Sequence, residues 1–230
     1  MVLLGCVNKN PVTPEKEFFK PSGKLYMIAN YYHDDIDFNF CSEVVYHYYD
    51  KQGRLSRKAY AAPNSEPHKF EDYEYSGDFV YIRTNGYEGA EQTRCISHEY
   101  KNGLLVRIDD CDYEVGEFTR FTYDEQDRIS DEWIIYQRAD GTESVFHHFI
   151  YEYSEGKLYR KYNALFESLY SEYIYEDDRL MAIVASDNGA ALERFYYDES
   201  GNLIKKEEFD FAIGFEPYHR EYTRLYYYYE

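Results

Sequence analysis

Two histidines stand side by side at His147-His148, and adjacent imidazoles invite a metal reading. Neighbouring side chains of a strand leave opposite faces, so the pair cannot close on one ion without distortion. Asp35-Ile36-Asp37-Phe38-Asn39-Phe40 opens like a calcium loop, with oxygens at alternate positions. Phe40 then stands where the sharp turn needs glycine, and Tyr46 where the bidentate glutamate belongs, so the EF-hand pattern fails. Asp109-Asp110-Cys111-Asp112 gathers charge beside a thiol and reads as a connection between hairpins. No metal and no cofactor is expected.

Catalytic patterns are equally thin. The chain has no Gly-x-Ser-x-Gly elbow, no glycine loop to cradle phosphate and no His-Glu-x-x-His helix. Carboxylate pairs for glycoside hydrolysis can be drawn at will among 44 Asp and Glu, and that abundance makes no pair diagnostic. The chain therefore reads as non-enzymatic. A hydrolase with an Asp/Glu pair in the curl of a sheet is the minor alternative. Trp133 is the single tryptophan and sits beside Ile134 and Ile135, where core packing is expected over an exposed stacking platform.

The cysteines divide unevenly. Leu3-Leu4-Gly5-Cys6 resembles a bacterial lipobox, in which Cys6 would be acylated after cleavage. Only a fragment of an apolar core and no basic region precede it, so residues 1–22 read as a signal remnant and tether, with Pro11, Pro14 and Pro21. Cys41, Cys95 and Cys111 remain. Cys95 and Cys111 could meet across neighbouring strands, but buried free thiols are the expectation.

The elements that must position all of these follow from a phrase that returns along the chain. Tyr48-Tyr49-Asp50-Lys51-Gln52-Gly53-Arg54-Leu55 comes back as Tyr196-Tyr197-Asp198-Glu199-Ser200-Gly201-Asn202-Leu203. Between them come Tyr100-Lys101-Asn102-Gly103-Leu104, Tyr123-Asp124-Glu125-Gln126-Asp127-Arg128-Ile129, Tyr153-Ser154-Glu155-Gly156-Lys157-Leu158 and Tyr175-Glu176-Asp177-Asp178-Arg179-Leu180. Tyr73-Glu74-Tyr75-Ser76-Gly77-Asp78-Phe79 is a worn copy. The step from one anchor tyrosine to the next is roughly 22 to 30 residues, two strands and two turns.

Aromatics at alternate positions, such as Phe121 and Tyr123 or Tyr173 and Tyr175, place their rings on one strand face. Asp50 and Asp198 suit a turn by accepting backbone amides two residues on, and Gly53 and Gly201 supply positive φ. Asn102-Gly103 is a two-residue hairpin signal, with Gly156 in a weaker version and Gly77 in the worn copy. Asp127 and Asp178 replace the glycine and tolerate the left-handed region at some cost. Arg54, Arg128, Lys157 and Arg179 follow the turns, where solubilising the hairpin ends is expected over cation–π contact with cross-strand tyrosines.

The pattern Tyr-Asp-x-x-Gly-Arg-Leu resembles the YD repeat, also called the RHS repeat, of bacterial surface and toxin-associated proteins. The likeness runs over residues 46–229 and is fullest at Tyr49–Leu55 and Tyr197–Leu203. It implies long antiparallel sheets of consecutive hairpins, sometimes wound into a shell, and for some members carbohydrate binding. Residues 23–230 are accordingly expected to form one domain of repeated hairpins. The fold class is all-β: about fourteen or more strands in an antiparallel up-and-down meander, curling into a curved sheet or barrel-like shell. The run Tyr226-Tyr227-Tyr228-Tyr229 is a candidate for pairing or for closing the shell.

Composition narrows the partners. Thirty tyrosines and a formal charge of −19 describe a chain whose sheet faces are covered by amphipathic rings and kept soluble by carboxylates. Such charge argues against a broad basic face for nucleic acid or an anionic membrane. The leading expectation is a non-enzymatic binding or scaffold module, lipid-anchored in the cell envelope, with a glycan or a protein as ligand. The membrane would be met only through the lipid. The alternative is a cytoplasmic acidic immunity or antitoxin-type protein that neutralises a basic toxin by electrostatic steering.

Overall fold

Each repeated turn leads into the same irregularity, and that irregularity explains the phrase. The computed structural model describes residues 23–33, 39–85, 94–111, 115–166, 168–185, 190–209 and 220–228. Its strands are β1 (Leu25–His33), β2 (Asn39–Tyr49), β3 (Leu55–Ala61), β4 (Pro67–Ser76), β5 (Phe79–Asn85), β6 (Arg94–Lys101), β7 (Leu104–Asp110) and β8 (Gly116–Tyr123). They continue as β9 (Ile129–Gln137), β10 (Glu143–Ser154), β11 (Lys157–Asn163), β12 (Ser168–Glu176), β13 (Arg179–Ala185), β14 (Ala191–Tyr197), β15 (Leu203–Phe209) and β16 (Arg220–Tyr228). No helix occurs among the described residues. Strands follow one another in sheet order as an antiparallel meander, and β16 returns to β1, so the order closes as a β-barrel. Tyr226, Tyr227 and Tyr228 form part of that closing ladder, opposite Ile28, Met27 and Leu25.

In the β2–β3 hairpin Tyr48 faces Arg57 while Tyr49 faces Leu55, which leaves Ser56 as an extra residue. The same slip sits beside Tyr100, Tyr123, Tyr153, Tyr175 and Tyr197. An extra residue bends the strand and sharpens its twist. Recurring once per repeat, it gives successive hairpins the same twist, which is how a long meander comes round on itself.

The anchor tyrosines then tie neighbouring hairpins together. Tyr123 donates its hydroxyl to the Leu105 carbonyl at 2.6 Å, and Tyr153 to the Ile129 carbonyl at 3.0 Å. Tyr228 reaches Leu203 at 2.9 Å and Tyr49 reaches Leu25 at 2.8 Å. Leu105 and Ile129 are the residues paired with the previous anchors, Tyr100 and Tyr123. Each such anchor is therefore acceptor-matched to the hairpin before it, and the period of the sequence is the length of chain between successive ties.

The chain divides into two compact units. Unit 1 draws on Met1–Asp72, Thr84–Gln92 and Ala191–Glu230, and unit 2 on Tyr73–Arg83 and Thr93–Ala190. In unit 1 the registers Met27↔Tyr46, Ala29↔Val44, Tyr46↔Ala59 and Val44↔Ala61 put one face of β1–β3 in line. That face is the core: Met27, Val44, Tyr46, Tyr48, Ala59 and Ala61 are buried together, with Phe70 and Tyr227 packed against them. Alanine is a weak strand former, but its small side chain lets tyrosine rings lie across it. His47 is buried on the opposite face, and burial, with Lys58 nearby, pushes its imidazole down to about 4.

In unit 2, Cys95 and Cys111 are joined in a disulfide with their Cα atoms 5.3 Å apart, which corrects the expectation of free thiols. The pairing Ile96↔Asp110 carries one step further to set Cys95 opposite Cys111, within bridging distance. The expectation that Asp109 and Asp110 lie in a connection is corrected too. Both close β7, where Arg107 binds Asp109 at 2.6 Å and Arg94 lies 3.4 Å from Asp110.

Candidate binding surface

The turns are built as their residues dictate. Asp50 Oδ1 accepts the amides of Gln52 and Arg54, both at 2.9 Å, and its Oδ2 accepts Arg54 Nε at 2.7 Å. Asp124 repeats this with Gln126, Arg128 and the Arg128 Nε, and these hydrogen bonds, led by the Arg128 side chain, hold its carboxyl below the usual range. Asp198 does the same with Asn202. Gly53 and Gly201 take φ of +73° and +86°, and Asp127, in the glycine place, takes +58°. Asn102, Gly103, Gly156, Gly77 and Asp178 also have positive φ. A turn of this form passed over by the sequence reading is Arg138–Thr142, where Gly141 has φ of +80° and Thr142 N donates to Asp140. Its Asp-Gly pair was the available signal.

The residues after the turns do more than solubilise. Arg128 lies 4.3 Å from the centre of the Tyr153 ring, and Lys157 lies 5.5 Å from that of Tyr175 while bonding Asp178 at 2.5 Å. The cation of one hairpin thus covers the anchor of the next, and at Arg128 the tie of Tyr153 to the Ile129 carbonyl brings that ring alongside. This corrects the expectation at Arg128 and Lys157.

Polar chemistry gathers on β8–β12 of unit 2. Thr122↔Asp131 and Trp133↔His148 are register pairs, so these four side chains share a face. Asp131 Oδ1 lies 2.9 Å from His148 Nε2 and its Oδ2 accepts Thr122 Oγ1 at 3.0 Å. Burial alone would raise Asp131, but hydrogen bonds from His148, Ser130 and Thr122 leave it lowered. The His148 ring stacks on Trp133 at 4.8 Å, so Trp133 is half-buried as part of a ring pair. His147 faces the other way, 3.1 Å from Asn163 and stacked on Phe149 at 5.6 Å. Along the same face as Asp131 runs Phe118, with the guanidinium of Arg107 at 3.8 Å and that of Arg120 at 5.3 Å.

The opposite face carries a half-buried ion pair. Lys161 binds Glu132 at 2.8 Å and lies over Phe149 at 4.3 Å, and Tyr151 donates to the same carboxylate. Burial, then the hydrogen bond to Glu132, raises the Tyr151 phenol far above its ordinary value. These contacts tie neighbouring strands of β8–β11 to one another. Among the described residues no group of three His, Cys, Asp or Glu is placed to hold a metal ion. Residues 35–38 of the calcium-like run and the lipobox cysteine, Cys6, lie outside the described residues, and Asn39 and Phe40 open β2.

Several large apolar side chains also stand open to solvent. Phe166 is 66% exposed, Phe146 51%, Leu165 48% and Val145 47%. Tyr136 meets Phe146 edge to face at 6.1 Å, and Phe166 leans on His147 at 6.2 Å. Tyr75 and Phe79 of β4–β5 are exposed as well. All the exposed large hydrophobics among the described residues belong to unit 2 except Ile204.

No protein-family model matches the chain, and no curated protein matches it. Among solved structures it is similar to a porin-like protein from Bacteroides uniformis ATCC 8492, with a TM-score of 0.57 at 12% identity, covering 91% of this chain and 100% of that one. That likeness is one of barrel fold. A TcdB2-TccC3 structure also aligns, over 78% of this chain and 12% of the other, at 16% identity and a TM-score of 0.33.

Proposed function

We propose that the chain is a non-enzymatic binding or scaffold module of the cell envelope, built from YD-like hairpins, whose ligand is a glycan or a protein. The observation that carries this reading is the concentration of exposed aromatic and aliphatic side chains in unit 2. Apolar groups left in water and gathered in one region are characteristic of recognition surfaces. The hydrogen-bonded polar clusters of β8–β12 serve that surface by fixing the strands that carry it.

The barrel acts in water and does not conduct across a bilayer. Charges occupy consecutive strand positions at Arg57-Lys58, Asp131-Glu132, Arg160-Lys161 and Lys205-Lys206-Glu207-Glu208. Consecutive positions face opposite ways, so both faces carry charge in mid-strand, whereas a spanning barrel keeps one face apolar over about 9–11 residues per strand. An envelope location is supported by the Cys95–Cys111 bridge, since disulfides persist in oxidising compartments. The same bridge weighs against a cytoplasmic immunity protein. Anchoring through Cys6 is part of the proposal, tested by lipid labelling at the native locus.

The direct experiment is a glycan and protein interaction screen of the wild type and of a Phe146→Ser/Phe166→Ser variant. Binding that the variant loses while its thermal transition is kept supports the surface. Identical profiles for the two proteins reject it.

A further inference from the structure

We propose that His147 is the hydrogen-bond donor of the exposed surface, its proton fixed on Nε2 by Asn163, and that the ligand is an apolar polypeptide segment with a basic residue at one end. This rests on the binding reading given above and names the partner of that surface. A break in register builds the site. Val145 stands opposite Ile135 but His147 stands opposite Ile134, which leaves Phe146 as an extra residue. A bulge re-aims side chains. Here Phe146 meets Tyr136 of β9, while His147 lies against Phe149 and Phe166. The imidazole is thereby set beside Phe146 and Phe166, the two most exposed large hydrophobics among the described residues.

Asn163 closes β11 and is 5% exposed. The Leu165 amide donates to its Oδ1 at 3.0 Å, which fixes the orientation of the carboxamide. Its Nδ2 then faces His147 Nδ1 at 3.1 Å. Nδ2 can only donate, so Nδ1 accepts and the neutral ring carries its proton on Nε2. The Ala164 amide, bonded to the His148 carbonyl at 2.7 Å, fastens the same segment to β10. A buried side chain that holds a half-buried ring in one tautomer is the support a binding group needs.

An Nε2–H donor calls for an acceptor oxygen. Phe146, Leu165 and Phe166 end in hydrocarbon, which would strip water from the several hydroxyls of a sugar and return no hydrogen bond. A polypeptide brings apolar side chains and one carbonyl per residue instead. Charge sets its end. Glu117 is exposed and stands opposite Tyr136 on the same face, in a chain of formal charge −19. A lysine or arginine beside the apolar residues complements it.

The test adds a capped probe peptide, lysine followed by leucine, phenylalanine and leucine, to the isotope-labelled wild type at about pH 8, where histidine is ordinarily neutral. Nitrogen resonances should show His147 protonated at Nε2 and bare at Nδ1, and the peptide should shift the Nε2 signal. His147→Phe keeps a ring and should weaken the peptide about fivefold, the worth of one hydrogen bond. Glutamate in place of the peptide's lysine should weaken it about as much, and Glu117→Gln should remove that preference. A proton on Nδ1, or an Nε2 signal that the peptide leaves unmoved, overturns the role of His147. If Phe146→Ser/Phe166→Ser still abolishes peptide binding in that case, the exposed surface stands and only the part of His147 falls. Peptide binding that this double variant leaves unchanged rejects the surface itself. A neutral oligosaccharide that moves the Nε2 signal when the peptide does not overturns the choice of partner.

Discussion

The β2–β3 hairpin of unit 1 and the β8–β9 hairpin of unit 2 share one backbone and carry different loads. Tyr49-Asp50-Lys51-Gln52-Gly53-Arg54-Leu55-Ser56 lines up with Tyr123-Asp124-Glu125-Gln126-Asp127-Arg128-Ile129-Ser130. Turn hydrogen bonds, register slip and tyrosine tie agree between the two. Beyond the serine they part. Arg57 and Ala59 stand in one hairpin where Asp131 and Trp133 stand in the other. Ala59 is fully buried under tyrosines, and Arg57 is held by a bidentate pair to Asp72 at 2.6 and 2.9 Å. Trp133 instead stacks on a histidine at a half-open face. The repeat is therefore a frame whose free positions decide whether a hairpin contributes core or surface.

Exchanging the loads should break the symmetry most sharply. Ala59→Trp must place an indole where no volume exists, and a loss of about 3 kcal/mol or more is expected, the upper end of overpacking. Trp133→Ala should cost about half as much or less, since that site is already partly open. Urea unfolding of the two variants checks this, and equal losses would show that unit 2 is as tightly packed as unit 1.

Acid should separate the two regions next. His47 accepts a proton in the folded chain only near pH 4, whereas an unfolded histidine does so near 6.5. Its contribution is complete above about pH 6.5 and is lost as pH falls towards 4, by about 3 kcal/mol in all. A His47→Leu variant should lack that part of the pH dependence in unfolding measured from pH 7 to 4.

Smaller effects probe the shared frame. Tyr153→Phe removes the hydroxyl tie to Ile129, and a cost of about 1 kcal/mol is expected from denaturant unfolding. Tyr49→Phe should match it across units if the ties are equivalent. The smallest change concerns the turn. Asp127→Gly should stabilise by about 0.5 kcal/mol, and Gly53→Asp should destabilise by a similar amount, because both positions hold positive φ. A shift of opposite sign in either would mean that the Asp127 side chain, and not its backbone, sets the turn.

The strands, their all-β class and the turns were legible because each depends on neighbours in sequence. Asp50 reaches amides two and four residues on, and Gly53 or Asn102 relaxes its own φ, so local chemistry is sufficient. The return of the phrase from Tyr49 to Tyr197 likewise announced consecutive hairpins and an antiparallel meander. Other features needed the whole chain. Closure of β16 on β1 depends on twist accumulated over every intervening hairpin, and one hairpin does not contain it. Whether a free position is buried, as at Ala59, or left open, as at Phe146, depends on what strands far away in sequence lay against it. The meeting of Cys95 with Cys111, of Arg128 with Tyr153 and of Asp131 with His148 required register across strands. Register is set by the bulge and tie of each hairpin acting together, a distance relation that residue types alone do not carry.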